Sequence, residues 1–149
     1  LLADERFTAA GFDHYEVSNY ARAGHHSKHN QAYWDGADYL GLGPGAFSTM
    51  GGRRWKNVAD TRAYVAQALA GEPLEREVEL LTADDLRRER IALLLRTAAG
   101  VPLSVVGAEA TPKIEALVAA GLARPPAGGR LALTPQGRLV ADSVAVELW

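Results

Sequence analysis

The sequence predicts an α/β fold in two parts, and three observations predict it. All four histidines and every aromatic residue except Trp149 lie within the first 73 residues. That stretch mixes glycine-broken, alternating segments with short helical ones. The remainder, from Thr82 on, is rich in Leu, Val and Ala and reads as helices separated by one small hairpin. Residues 74–81 join the two as a charged linker following the Gly71-Glu72-Pro73 break. The expected division is therefore 1–73, linker 74–81, and 82–149.

In the first part, Leu1–Ala10 reads as the end of a helix with Gly11 as its C-terminal cap. The chain does not begin with Met, and a helix start upstream is expected. Phe12–Asn19 alternates as one strand, with Tyr15, Val17 and Asn19 on one side and His14, Glu16 and Ser18 on the other. Such a strand suits the mouth of an α/β barrel, where inward side chains meet a ligand. Ser27–Trp34 reads as a loop entering a short helix, and Tyr39–Ser48 as a glycine-broken strand. Gly51-Gly52 marks a hairpin within 49–57. Asp60 caps a helix that runs through Ala70 and stops at Gly71.

In the second part, Thr82 caps a helix with Asp84 and Asp85 in its first turn. Ile91, Leu94, Leu95 and Ala98 give that helix an apolar face, and Gly100 ends it. A short segment at 103–106 follows. Thr111 is then an N-cap with Pro112 at the first helical position, and Ile114, Leu117 and Val118 face inward. A small hairpin spans Pro125–Leu133, and Thr134-Pro135 opens one last helix bearing Val140, Val144 and Leu148. Helix, short helix, helix, two-stranded wing and helix make a winged-helix-like plan.

Charge and composition narrow the function. The formal net charge is -2, which gives no electrostatic reason to expect a nucleic-acid partner. Helix 112–120 offers Lys113 set against Glu115, too little to read a DNA groove. No apolar run reaches the roughly 18 residues of a membrane span, and no secretory signal is present, so a cytoplasmic setting is expected. With no cysteine, the chain can form no disulfide, no thiolate zinc site and no cysteine-ligated iron–sulfur cluster.

The densest chemistry is Gly24-His25-His26-Ser27-Lys28-His29-Asn30-Gln31-Ala32-Tyr33-Trp34. Imidazole is a good axial ligand for haem iron, and Tyr33 and Trp34 follow His29 at helical spacing. A second reading makes both aromatics core residues and leaves His29 to bond the backbone. His25 and His26 read as exposed loop residues, and three histidines in five residues lack a sensible zinc spacing. Gly41-x-Gly43-x-Gly45 lets a ligand approach the backbone closely, or simply marks a bulged strand. It is not a dinucleotide fingerprint, since Ser48 stands where the third glycine belongs. His14 and Glu16 share a strand face as an acid–base or hydrogen-bonded pair. Arg53-Arg54-Trp55-Lys56 is a solvated hairpin face or a carboxylate clamp.

The order of these pieces is specific. Tyr15-Glu16-Val17-Ser18-Asn19-Tyr20-Ala21, then His29-Asn30-Gln31-Ala32-Tyr33-Trp34, then Tyr39–Ser48 resemble three successive motifs of the oxygen-independent coproporphyrinogen III oxidase-like radical-SAM family. The H-N-x-x-Y-W ending resembles the haem-chaperone branch of that family. The resemblance implies the C-terminal portion of a partial (β/α) radical-SAM barrel followed by the winged-helix-like unit. It implies a missing N-terminal half that carries the 4Fe-4S cluster. It implies haem bound by His29, Asn30, Tyr33 and Trp34, with His29 on the iron, for delivery to an acceptor haemoprotein. It places Gly43, Gly45 and Phe47 on the S-adenosylmethionine side. Phe47 stands where that branch commonly has His, so a side-chain role for that histidine does not carry over. The same resemblance leaves two other readings: part of a coproporphyrinogen III oxidase of porphyrin biosynthesis, or a winged-helix interaction module.

Overall fold

A computed structural model describes residues 2–149 and shows a mixed α/β chain built as two units. The first unit combines residues 2–35 with 87–149, and the second comprises 36–86. The expected division at 74–81 is therefore corrected. The aromatic N-terminal segment packs with the helical C-terminal part, and the charged stretch 74–81 is not a linker.

The first unit starts with helix α1 (Leu2–Ala9), which ends where Gly11 turns left-handed at φ +80°. Strands β1 (Asp13–Glu16) and β2 (Asn19–Ala21) then form an antiparallel hairpin. The single strand expected over 12–19 is broken at Val17–Ser18 because the Glu16 carboxylate accepts the Ser18 N–H at 2.8 Å and the Asn19 Nδ2–H at 2.6 Å. Those bonds fold the backbone back on itself. Helix α2 (Lys28–Trp34) is capped by Ser27, whose side chain accepts the Asn30 N–H.

The C-terminal portion of this unit holds the apolar core. Helix α4 (Ala83–Leu95), whose first turn belongs to the second unit, contributes Ile91, Leu94 and Leu95. It starts on a reciprocal cap, in which Thr82 and Asp85 each satisfy the other's backbone N–H. It stops short of Ala98, which is exposed. Strand β6 (Val101–Pro102), helix α5 (Leu103–Val106), a 3₁₀ turn (Ala108–Ala110) and helix α6 (Thr111–Ala119) follow. Thr111 is the first residue of α6 and not its cap; its hydroxyl donates to the Ala108 carbonyl. Strand β7 (Arg130–Leu131) pairs with β6, burying Leu131 while Leu133 is buried beyond it. The expected last helix is two: α7 (Pro135–Arg138) and α8 (Ala141–Glu147). They divide at Leu139–Val140, and Val140 is exposed while Val144 and Leu148 are buried.

Two glycines of this unit are required by close packing. A Cβ on Gly100 would lie 2.0 Å from the Leu131 carbonyl oxygen, and one on Gly137 would lie 1.9 Å from that of Leu122.

The second unit is an antiparallel meander of β3 (Phe47–Met50), β4 (Arg53–Asn57) and β5 (Glu75–Leu80), with helix α3 (Thr61–Ala70) between the last two. Gly51 and Gly52, both at positive φ, make the β3–β4 turn as expected. Asp60 and Gly71 cap α3 as expected. Strand β5 replaces the expected linker. A bulge lets it pair with β4 despite its charge, with Glu77 at φ +50° in the irregular stretch. Tyr39 makes only an isolated bridge to Thr49, so residues 40–46 are a loop and not the expected strand. Among the described residues, no helix is long and apolar enough to cross a membrane.

Candidate functional site

Helix α2 sorts its motif into two faces by the i, i+4 rule. Asn30 and Trp34 form the inner pair. Asn30 Nδ2 donates to Asn19 Oδ1 at 3.3 Å, and the Trp34 ring lies 5.8 Å from that of Tyr15. His29 and Tyr33 form the outer pair, and both are exposed, Tyr33 by 40%. The four residues expected to bind haem therefore do not share one face. His29 and Tyr33 are presented outward, while Asn30 and Trp34 fix the helix to the hairpin beneath it.

That hairpin is itself anchored. Glu16 is 2% exposed and receives Arg96 Nε at 2.9 Å in addition to the bonds from Ser18 and Asn19. Burial alone would push its carboxyl up. The hydrogen bonds from Ser18, Asn19 and Arg96 outweigh burial and hold it below the ordinary carboxylate value. The result is a continuous chain of hydrogen bonds from Arg96 at the end of α4, through Glu16 and Asn19, to Asn30 on α2. Val17 N–H to the Arg96 carbonyl and Ala98 N–H to the Tyr15 carbonyl reinforce the seam in the backbone. The Tyr15–Asn19 and His29–Trp34 motifs are thus one structural assembly, which spacing alone does not reveal.

Two of the remaining histidines differ from the expectation. His14 and Glu16 are not partners. His14 Nδ1 lies 2.8 Å from Asp4, its Nε2 lies 3.0 Å from the Val17 carbonyl, and its ring stacks on Tyr20. His25 is exposed as expected. His26 is not an exposed loop residue: its ring stacks on Tyr15 at 4.1 Å, almost parallel. Among the described residues, no group of three or more metal-ligating side chains is assembled. A cleft of about 390 Å³ borders the inner side of α2, lined by Tyr15, His26, Gln31, Trp34 and Arg130 among others.

In the second unit, the glycine loop is braced by its own chain. The amide of Gly41 donates to Ser48 Oγ, that of Gly43 to the Tyr64 hydroxyl, and that of Gly45 to the Val58 carbonyl. Asn57 Nδ2 donates to the carbonyls of both Gly41 and Gly43. A Cβ on Gly41 would meet the Phe47 carbonyl oxygen at 2.1 Å, so the close backbone approach here is made by the chain itself. The space beside Gly43 is open, and the Phe47 ring is about half exposed under Lys56. Asn57 was not singled out by its sequence context; only its place opposite the loop gives it this role. The Arg53–Lys56 run is no free clamp, because Arg53 is paired bidentately with Glu75 and lies over the Trp55 ring.

No family model matches the sequence. Individual proteins do. The chain is 45% identical to the haem chaperone HemW of Mycobacterium tuberculosis over 144 residues, which cover 96% of this chain and 36% of that protein. It is 38% identical over 95 residues, 64% of its length, to the mitochondrial radical S-adenosyl methionine domain-containing protein 1 of Bos taurus, of which those residues cover 18%. Its fold matches that of coproporphyrinogen III oxidase (HemN) from Escherichia coli, a radical SAM enzyme. That match has a TM-score of 0.74 at 19% identity and covers 99% of this chain and 39% of the enzyme. The chain thus spans little more than a third of the length of these two bacterial proteins. Over nearly all of its length the chain is similar to the C-terminal region of the haem chaperone HemW, and its fold is that of part of a radical SAM enzyme.

Proposed function

We propose that this chain is the haem-handling portion of a radical-SAM haem chaperone and that His29 supplies the iron ligand. The observation that supports it is the outward His29 on a helix whose opposite face is held by Asn30 and Trp34. An exposed imidazole on a fixed platform can ligate iron without first breaking a bond inside the protein. Tyr33, on the same face, gives the macrocycle an aromatic edge to pack against. Haem is the cargo, destined for an acceptor haemoprotein.

In the whole protein, Gly43, Gly45 and Phe47 lie on the S-adenosylmethionine side, and the open space at Gly43 and the half-exposed Phe47 ring are what this chain offers there. The 4Fe-4S cluster is held elsewhere in that protein, because this sequence contains no cysteine. Residues 1–73 then form the end of the partial (β/α) barrel. The helices and hairpin after Thr82 act as a winged-helix-like packing module, and the setting is the cytoplasm. A DNA-binding role is disfavoured because Lys113, the one cation of α6, reaches the Trp149 carbonyl. The alternative, part of a coproporphyrinogen III oxidase, rests on fold likeness. Glu16, its obvious acid–base residue, is committed to Arg96 and Asn19.

Haem titration of the 149-residue chain, followed in the Soret band, tests the proposal. Saturable binding with an imidazole-type spectrum that His29→Ala removes is the expected result. Unchanged affinity and spectrum in that variant would sink it.

A further inference from the structure

A groove of about 790 Å³ runs between α5, α6 and the Pro125-Pro126 segment of the first unit. Leu103, Ile114, Val118 and the exposed Pro125 and Pro126 make its wall apolar. Its one charged lining residue is Glu115, which is exposed; among the described residues no lysine or arginine lines it. A second carboxylate stands over Gly107, also on the wall: that of the exposed Glu109 fills the space a side chain at Gly107 would need. The one cation of α6, Lys113, reaches instead for the Trp149 carbonyl. An accessible apolar patch rimmed by charge of one sign has the anatomy of an interaction surface.

The wall offers an incoming strand no ladder to join. Pro125 and Pro126 carry no N–H, and the amides of Leu103 and Gly107 already donate to the Gly129 and Leu103 carbonyls. The backbone of α6 is spent within its own helix. An extended segment would lose its bonds to water here and gain none, whereas a helix satisfies its own backbone and needs only apolar side chains to insert. A nucleic acid would meet carboxylates and no cation. We propose that this groove docks an amphipathic helix of a partner protein, with apolar side chains between α5 and α6 and a Lys or Arg against Glu115. Charge complementarity sets the sign of that flank, because an acidic one would face both Glu115 and Glu109. No residue of α2 lines the groove, so the site is separate from the assignment of His29.

Two helical peptides of about four turns test it. Both are stapled and carry Leu at i, i+3, i+4 and i+7, one flanked by Lys and the other by Glu. Each is titrated into the 149-residue chain and read by NMR at the Ile114 and Val118 methyl groups. The Lys peptide is expected to saturate and shift both residues, and to bind about five-fold tighter than the Glu peptide. Glu115→Lys, at an exposed position, should reverse that order. Ala119→Gln, also exposed and on the groove wall, should weaken both peptides about ten-fold by filling the space. His29→Ala should leave both affinities unchanged, whatever that variant does to haem. Equal affinity for the two peptides, or an order that Glu115→Lys leaves in place, would overturn the basic partner. No shift at Ile114 and Val118, or full affinity in Ala119→Gln, would overturn the groove. Self-association of the chain that Ala119→Gln abolishes would make the occupant a second copy and overturn the partner helix.

Discussion

The two units are held together by different physics. The first buries fifteen apolar residues in one cluster, from Ile91 to Leu148. The second buries Trp55 and Val58 together with two polar residues, Ser48 and Asn57, and helix α3 buries none of its residues. Where the first unit relies on removing hydrocarbon from water, the second relies on hydrogen bonds that pin a glycine loop to its sheet. Leu42, Leu69 and Leu80 are each exposed by more than three-quarters. The difference predicts which region opens first and which substitutions matter in each.

The largest effect should come from the core of the first unit. Gly100→Ala forces a methyl group onto the Leu131 carbonyl at a residue with φ +70°, and should cost about 4 kcal/mol or prevent folding. Leu95→Ala should cost about 3 kcal/mol through the cavity it leaves. Chemical denaturation followed at Trp149 and by hydrogen exchange of α4 and α8 would show both. A loss below about 1 kcal/mol for either would mean that this cluster is not the stabilising core.

Next comes the seam at Glu16. Glu16→Gln removes the charge that Arg96 and Asn19 bind, and should cost about 2–3 kcal/mol. Its carboxyl is held below its ordinary value in the folded chain. The stabilisation is therefore full above the unfolded pKa of roughly 4.3 and is lost as pH falls through the lower folded one. Denaturation between pH 3 and 7 should narrow the gap between wild type and Glu16→Gln only at the acid end, on the order of pH 4 and below. A gap that stays constant with pH would mean that the carboxylate charge is not what holds the seam.

In the second unit, Asn57→Ala should cost about 2 kcal/mol, because it leaves the carbonyls of Gly41 and Gly43 without their donor. Hydrogen exchange at the Gly41, Gly43 and Gly45 amides should speed up while the α4 amides hold. Leu69→Ala, by contrast, should stay within about 0.5 kcal/mol of wild type, since Leu69 is 85% exposed. Equal effects of the two substitutions would erase the proposed difference between the units.

What the sequence made legible follows the same divide. Signals that are local were readable: the Asp60 and Gly71 caps, the Thr82 cap with Asp85, the Gly51-Gly52 turn, and the inward Ile91, Leu94 and Leu95. Features that depend on distant partners were not. The segment Glu75-Arg76-Glu77-Val78-Glu79-Leu80 has a linker's composition and becomes a strand because β4 offers it an edge. The turn at Val17–Ser18 exists because a side chain, Glu16, competes with the sheet for the backbone. The grouping of residues 2–35 with 87–149 depends on distant contacts such as Glu16 meeting Arg96, eighty positions away. Within the site, spacing put His29 and Tyr33 one turn apart correctly. It could not show that Trp34 spends its ring on Tyr15, or that His26 does the same.

The smallest change in stability should accompany the largest change in haem binding, and this is the sharpest use of the two faces of α2. His29 is exposed, so His29→Ala should move stability by less than about 0.5 kcal/mol. If it is the iron ligand, the same substitution removes the imidazole-type Soret spectrum. Trp34→Ala should behave in the opposite way. It empties the contact with Tyr15 and should cost about 2 kcal/mol of stability, while leaving the spectrum of whatever haem still binds imidazole-like. Because Tyr33 shares the outward face, Tyr33→Ala should weaken affinity without altering the ligation spectrum. The three variants therefore separate ligation, platform and packing by two independent readouts. A Trp34→Ala chain that kept full stability but lost haem would place the indole on the macrocycle instead. The inner and outer faces of α2 would then have to be exchanged.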